Sequence, residues 1–271
     1  MRRAIVIFVV VGVTLGSVVA AVSSPAAADT VPLPTRMVAV GDSITTATDV
    51  GWCCVNPSGG NPQYSWSTGT DPTVDSHYLR IVAANGNTPV ATFNVARPGA
   101  DSGDLASQLN TAAGFAPGYV TVLMGGNDLC WSPTPTGVFR HRVESAFAAF
   151  FAAAPDAYLF VSSIPNLYRL WSIEHTNPLA VLTWTAFGIC PTVLGLNVTT
   201  SQRQHILDLE QTFNSILAST CSAYAHCRWD NDATYNYPFT TADISTVDYF
   251  HPSITGQHDL AAVTWTASFW G

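Results

Sequence analysis

Short apolar runs alternate with amphipathic stretches along this chain, and that alternation constrains its fold more than any other feature. Runs typical of buried strands lie at 37–39, 91–95, 119–124 and 157–162. Helical spacing is found at 76–85, 102–113, 139–153, 179–187, 201–220 and 254–269, and 228–235 is irregular or a short strand. Strands that alternate with helices form a parallel sheet with helices on both faces. The sequence therefore predicts an α/β fold.

The N-terminus has the composition of a secretory leader. Arg2 and Arg3 precede an apolar run over 4–22, and small residues follow it up to Ala28. A basic start, an apolar centre and small residues before the cut are typical of a cleaved signal peptide. We therefore expect residues 1–28 to be a signal peptide, residues 29–271 to be one domain, and the protein to be extracellular. The run is also long enough for an uncleaved membrane anchor, and the sequence leaves that alternative open.

Composition and charge limit the partners of the exported part. The chain is 48% hydrophobic and 10% charged, which supplies enough apolar side chain for a sizeable core. Loss of Arg2 and Arg3 would take the formal net charge from −8 to −10. Such an acidic surface disfavours nucleic acids and anionic membranes but does not restrict neutral substrates. Because no second apolar run is long enough to span a bilayer, we expect no stable membrane insertion after cleavage. We also expect the protein to be a monomer.

The six cysteines all lie in the exported part, as expected for an oxidising compartment. One pairing compatible with their spacing joins Cys221 to Cys227, Cys130 to Cys190, and the adjacent Cys53 and Cys54. Six cysteines allow many other connectivities, so the sequence does not choose among them. Zinc is the competing interpretation, but the chain has no C-x-x-C motif and no histidine pair with ligand spacing. We therefore expect no metal and no other cofactor.

Polar or glycine-containing motifs follow three of the predicted strands, and a fourth motif precedes the last helix. These motifs contain Ser43, Gly99, Asn127, and the pair Asp248 and His251. In open α/β sheets, ligands bind at the carboxyl ends of the strands. We therefore expect these residues to meet at one site.

The residue types in these motifs are those that a serine nucleophile requires. A serine hydroxyl attacks well only when a base takes its proton, and His251 is the candidate base for Ser43. Asp248 is the candidate acceptor that would orient the imidazole. Attack on an acyl carbon forms an oxyanion, which the N–H groups of Ser43 and Gly99 and the amide of Asn127 would stabilise. The sequence thus predicts acyl transfer through a covalent serine intermediate.

Each of these residues also has a structural interpretation. Taken alone, Ser43 is compatible with a helix N-cap and Asn127 with a turn residue. A backbone carbonyl is an alternative group to orient His251. The occurrence of all the motifs in one chain favours the catalytic interpretation. We expect the other histidines to lie at the surface, because none has a partner nearby in the sequence.

The order of the motifs resembles that of the SGNH hydrolases, the GDSL-type esterase/lipase superfamily. The matching blocks are GDSI at 41–44, Gly99, GGND at 125–128 and DYFHP at 248–252. Similarity to secreted actinobacterial members is found in SWSTG at 65–69, SIPNL at 163–167 and CSAYAHCR at 221–228. Isoleucine ends the first block where leucine is usual, and adjacent cysteines are unusual among the relatives.

The resemblance implies a flavodoxin-like, three-layer α/β/α fold with a mainly parallel five-stranded sheet and no metal. It also implies hydrolysis of small-molecule, lipid or acylated-carbohydrate esters. The favoured function is a secreted serine esterase or lipase with a Ser43–His251–Asp248 triad and an oxyanion hole of Ser43, Gly99 and Asn127. The alternatives are a carbohydrate O-acetyl esterase on the same site and a catalytically inactive binding protein.

Overall fold

The structure is a computed structural model that describes residues 31–56 and 59–271. The expected signal peptide, residues 1–28, lies outside the described residues, so its cleavage stays a prediction. Within the described ranges, no helix has the length and apolar character needed to cross a membrane.

Five strands form one parallel sheet, which confirms the predicted fold class. They are β1 (Arg36–Gly41), β2 (Ala91–Asn94), β3 (Tyr119–Leu123), β4 (Tyr158–Val161) and β5 (Cys227–Trp229). Their order is β2-β1-β3-β4-β5, and each neighbouring pair runs parallel. The chain leaves β1 for β2 on one side and returns to β3 on the other. This reversal of strand order creates a crevice between the ends of β1 and β3, where open α/β sheets bind ligands.

Helices connect and cover the strands. They are α1 (His77–Ala84), α2 (Leu105–Gly114), α3 (Asn127–Cys130), α4 (Thr136–Ala153), α5 (Leu167–Glu174), α6 (Pro178–Phe187), α7 (Pro191–Leu194), α8 (Thr200–Cys221), α9 (Ala233–Asn236) and α10 (Ile254–Ala267). The hydroxyl of Ser76 accepts the N–H of Leu79 and caps α1, as its sequence predicts. The segment over 166–200 contains α5 and α7 as well as the predicted helix.

Alternate strand residues face two separate helical layers, as the period of a strand requires. Val38 and Val40 of β1 belong to a core that includes buried residues of α2, α4 and α8. Met37 belongs to a second core with Trp66 and with residues of α1 and α10. The sheet is thus covered on both faces, and the architecture is the three-layer α/β/α arrangement.

His77 corrects the expectation that the histidines outside the motifs lie at the surface. Its side chain is buried in the second core, with Nδ1 2.9 Å from the Tyr119 hydroxyl and Nε2 2.9 Å from the Thr264 hydroxyl. Burial, helped by the charge of Arg80, lowers the pKa of His77 to about 3, so the ring is neutral at pH 7. Because its hydroxyl partners, Tyr119 and Thr264, are distant in the sequence, the residues around His77 did not indicate that it is buried.

Three disulfides join the six cysteines in the pairing suggested above. They are Cys53–Cys54, Cys130–Cys190 and Cys221–Cys227. Cys130 ends α3 and Cys190 directly precedes α7, so this bridge ties the segment after β3 to the segment after α6. The helix with Asn127 at its start is therefore covalently anchored.

Replacing the long-range disulfide should cost more stability than replacing the short one. The cysteines of the Cys130–Cys190 pair are 60 residues apart, for which loop-closure entropy gives about 4 kcal/mol. Cys221 and Cys227 are 6 residues apart, which gives about 2.4 kcal/mol. Urea unfolding of the two double cysteine-to-alanine variants measures the difference. Equal losses would contradict the expectation.

Candidate active site

The residues predicted from the four motifs converge on one cleft. Ser43, Gly99, Asn127, Asp248 and His251 all line it, and its volume is about 400 Å³. It lies at the carboxyl ends of β1 and β3, where the strand order reverses. The structure therefore brings together all of the predicted site residues.

Ser43 lies in a hydrogen-bonded turn directly after β1. Its carbonyl accepts the N–H of Thr48 at 3.0 Å, and the Asp42 carboxylate accepts the N–H of Ile44 at 2.9 Å. Burial raises the pKa of Asp42 to about 6. The residues that follow Ser43 form turns rather than a regular helix, so the N-cap interpretation does not hold.

The His251 imidazole is oriented by Asp248. Asp248 Oδ2 lies 2.5 Å from His251 Nδ1, and Asp248 Oδ1 accepts the N–H groups of Phe250 and His251 at 3.0 Å each. With a carboxylate at Nδ1, that nitrogen carries the proton and Nε2 is left as the acceptor. Nε2 is buried and has no hydrogen-bond partner within the described residues.

The electrostatics of this pair favour its charged form. Burial opposes ionisation of Asp248, but the charge and hydrogen bond of His251 hold its pKa below the usual range. Burial likewise opposes protonation of His251, but Asp248 raises the pKa of the imidazole above its ordinary value. An imidazole in this setting is a stronger base than one in water.

Two donors lie opposite this pair, after β2 and β3. Gly99 has φ of +77°, a left-handed conformation that favours glycine, and it is exposed to the cleft. Asn127 Nδ2 donates to the carbonyl of Ala100 at 2.9 Å, which fixes the amide and leaves its second hydrogen free for another acceptor. The Asp128 carboxylate joins the same two loops, because it accepts the N–H and the hydroxyl of Ser102 at 2.8 and 2.5 Å.

Side chains from α10 and the preceding loop hold the serine turn against the histidine loop. Gln257 Nε2 donates to the carbonyl of Ile44 at 2.8 Å, and Gln257 Oε1 accepts the N–H of Trp66 at 2.9 Å. The Ser245 hydroxyl donates to the carbonyl of Asp49 in the serine turn, and the Ser245 N–H donates to the carbonyl of His251 at 2.8 Å. Hydrogen bonds that are partly or fully buried thus tie the two loops together.

A second, narrow cavity of about 70 Å³ adjoins Ser43 on the other side. Its lining is mainly apolar, although Asp42, Arg169 and Asp243 also line it. The apolar side chains come from several elements: Ile44, Leu123, Ile164, Pro165, Leu167, Leu170, Phe239, Ile244, Phe250, Pro252 and Leu260. Ser43, Asn127 and Phe250 line both cavities. The sequence interpretation missed this cavity, although the apolar i, i+3 spacing of Leu167 and Leu170 was a signal for α5.

One further carboxylate lies near the pair. Asp49, Asp248 and His251 each place a potential metal-ligand atom within 4.8 Å of the others. Because Nδ1 of His251 already binds Asp248, we interpret this group as an acid–base cluster and assign it no metal.

The chain is similar in sequence to known proteins. The family described as GDSL-like Lipase/Acylhydrolase matches residues 37–263. The membrane-associated phospholipase B1 of Rattus norvegicus is 24% identical over 209 residues, which is 65% of this chain. The match spans only 14% of that longer protein.

Solved structures share the fold at low sequence identity. The extracellular lipase of Streptomyces rimosus superposes with a TM-score of 0.52 at 17% identity, covering 86% of this chain and 99% of that one. An α/β hydrolase from the metagenome of Lake Arreo, Spain, gives 0.53 at 15% identity, covering 86% and 96%. Because the family match covers most of the residues, including every predicted site residue, the chain belongs to the GDSL-like lipase/acylhydrolase family.

Proposed function

We propose that this protein is a secreted serine esterase or lipase that hydrolyses carboxylic acyl esters through Ser43, His251 and Asp248. The position of Ser43 between two mainly apolar cavities of different volume, about 70 and about 400 Å³, carries the proposal. An ester has an acyl side and an alcohol side, and its carbonyl carbon must lie at the nucleophile. The narrow apolar cavity suits the acyl chain, and the wider cleft suits the alcohol.

The proposed reaction uses groups that line the cleft, together with the hydrogen bond between Asp248 and His251. Ser43 Oγ attacks the acyl carbon while His251 Nε2 takes its proton, and Asp248 stabilises the resulting imidazolium. The carbonyl oxygen becomes an oxyanion, which accepts hydrogen bonds from the N–H groups of Ser43 and Gly99 and from Asn127 Nδ2. His251 then gives the proton to the leaving alcohol. Water, deprotonated by the same imidazole, attacks the acyl-serine; the bond from the acyl carbon to Ser43 Oγ breaks, the carboxylic acid leaves, and His251 returns the proton to Ser43 Oγ.

The apolar cavity favours esters of longer acids over acetylated carbohydrates. An acetyl group has one methyl, which would leave the side chains of Leu167, Leu170 and Phe239 without contact. Kinetics on p-nitrophenyl esters of graded chain length, beside acetylated xylan, test this. We expect kcat/KM to rise from acetate to a chain of several carbons and to fall once the cavity is filled. If kcat/KM were highest on acetylated xylan, the O-acetyl esterase would be favoured. If no ester were hydrolysed, the inactive binding protein would be favoured.

A variant pair would locate the acyl chain. Leu170→Phe narrows the apolar cavity and should move the preferred chain length downward. Leu179→Phe makes the same change on the exposed face of α6, outside that cavity, and should leave the profile unchanged. Identical profiles for both variants would mean that the acyl chain lies elsewhere.

Secretion and membership of the actinobacterial branch are also proposals. The expected leader before Asp29 and the three disulfides support secretion, because disulfides persist in oxidising compartments. The SWSTG and SIPNL motifs at 65–69 and 163–167 support the branch.

Asn127→Ala should lower kcat by about 10²-fold with a smaller change in KM. The amide would donate to an oxyanion that exists only in the transition state, so its loss affects the chemical step more than binding. Steady-state kinetics on the preferred p-nitrophenyl ester measure both constants, with thermal unfolding as a check on the fold. A raised KM at unchanged kcat would instead assign Asn127 to ordinary substrate binding.

A further inference from the structure

Asp49 contributes a carboxylate to the cleft that the proposed triad does not use. Its side chain lines the cleft together with Asp248 and His251, and the three ligand atoms lie within 4.8 Å of one another. It is half-buried, and its carboxylate forms no hydrogen bond or ion pair with the described residues. Asp49 therefore places a negative charge near the imidazole that no hydrogen bond or ion pair with the described residues accounts for.

The backbone holds Asp49 in place. Its φ is +49°, a left-handed conformation that Asp and Asn adopt more readily than most residues. Its carbonyl accepts the hydroxyl of Ser245, which joins the serine turn to the loop that contains Asp248. The position of the carboxylate relative to His251 is therefore built into two tethered loops.

His251 is surrounded by negative charge. The carboxylates of Asp248, Asp49 and Asp42 all act on it, and each raises the pKa of the imidazole against the effect of burial. The pKa of Asp49 is itself raised, mainly because its carboxyl is partly buried and also because the negative charge of Asp248 lies nearby. The described residues that line the cleft include no arginine, so His251 is the group there whose positive charge Asp49 can stabilise.

We propose that Asp49 is a positioning residue, a second carboxylate that stabilises the imidazolium formed when His251 accepts the serine proton. The inference rests on the proposed function. The proton moves from Ser43 Oγ to His251 Nε2, and the positive charge appears on a ring that has the carboxylates of Asp248 and Asp49 nearby. Asp248 binds the ring directly, whereas Asp49 acts through space. The second carboxylate also keeps the base protonated to higher pH, and so contributes with Asp248 to the acid limit of activity.

Asp49→Asn tests the inference with little risk to the fold, because asparagine keeps the size and tolerates the left-handed conformation. The pKa of His251, measured by NMR of its ring, should fall by about one pH unit, the low end for an opposite charge at this distance. The acid limb of kcat/KM should move to lower pH by the same amount. The plateau of kcat should fall by about fivefold, a modest effect because solvent screens a half-exposed carboxylate.

Asp232→Asn is the matched control. Asp232 also has a left-handed φ, +59°, and lies after β5, three strands from β1 and outside the cleft. Neither the pKa of His251 nor the acid limb should move in this variant. An unchanged pKa of His251 in Asp49→Asn, or a loss of activity equal at every pH, would overturn the inference. A moved pKa in a protein that hydrolyses no ester would refute the proposed function and leave the electrostatic contact standing.

Discussion

Ser43→Ala should reduce ester hydrolysis by at least about 10⁴-fold while the protein keeps its fold. The hydroxyl is the group that would bond to the acyl carbon, and alanine removes it. The turn around Ser43 depends on its carbonyl, which binds Thr48 and the Thr46 hydroxyl, and alanine preserves that carbonyl. Kinetics on the preferred ester measure the loss, and a serine-directed phosphonate should label Ser43 in the parent protein.

Ser215 provides the matched control for this substitution. It is an exposed serine on α8 whose hydroxyl donates to the carbonyl of Gln211. Ser215→Ala should keep full activity and should be labelled by the phosphonate as the parent is. Substantial hydrolysis by Ser43→Ala, with contaminating esterases excluded, would show that the nucleophile is another group.

Asp248→Asn should lower kcat by about 10³-fold, somewhat less than the about 10⁴-fold cost of the comparable change in a serine protease. Asp248 Oδ1 accepts two backbone N–H groups, so the asparagine oxygen would stay there and its NH₂ would face His251 Nδ1. Nδ1 would then accept a hydrogen bond, and the proton would move to Nε2, the atom that must receive the serine proton. We expect the smaller loss because the carboxylate of Asp49, which we propose stabilises the imidazolium, would remain.

The pH profile provides a second measure of the same variant. Asp248 raises the pKa of His251, so its replacement should move the acid limb of kcat/KM to lower pH. His251→Ala is the reference for complete loss of the base. Near-parental kcat in Asp248→Asn, with His251→Ala inactive, would mean that another group orients the histidine and that the catalytic unit is a dyad.

Most of the fold could be predicted because its signals are local. The apolar runs of β1 and β3 are buried on both faces, and an apolar period marks the helices that cover them. β5 was ambiguous because it has three residues at the sheet edge and none of them is buried. α5 was missed because Pro165 and the polar residues around it resemble a loop.

The candidate site was predictable where its residues follow strand ends, and hidden where contacts connect distant segments. Ser43 and Asn127 each follow a buried strand, and Asp248 lies close to His251 along the chain. Asp49 gave no such signal, because its tether to Ser245 spans 196 residues. The apolar cavity was hidden for the same reason, since its lining is drawn from several elements.

Gln257 links the serine turn to the last helix, and this contact bears on when activity arises during folding. Its amide reaches the carbonyl of Ile44 across 213 residues of sequence. Contacts of such separation carry a large loop-closure entropy and form late. The sheet and most helices can therefore assemble before Ser43 and His251 are brought together. Recovery of hydrolysis after dilution from denaturant would report the docking of α10, and it would lag behind the return of secondary structure.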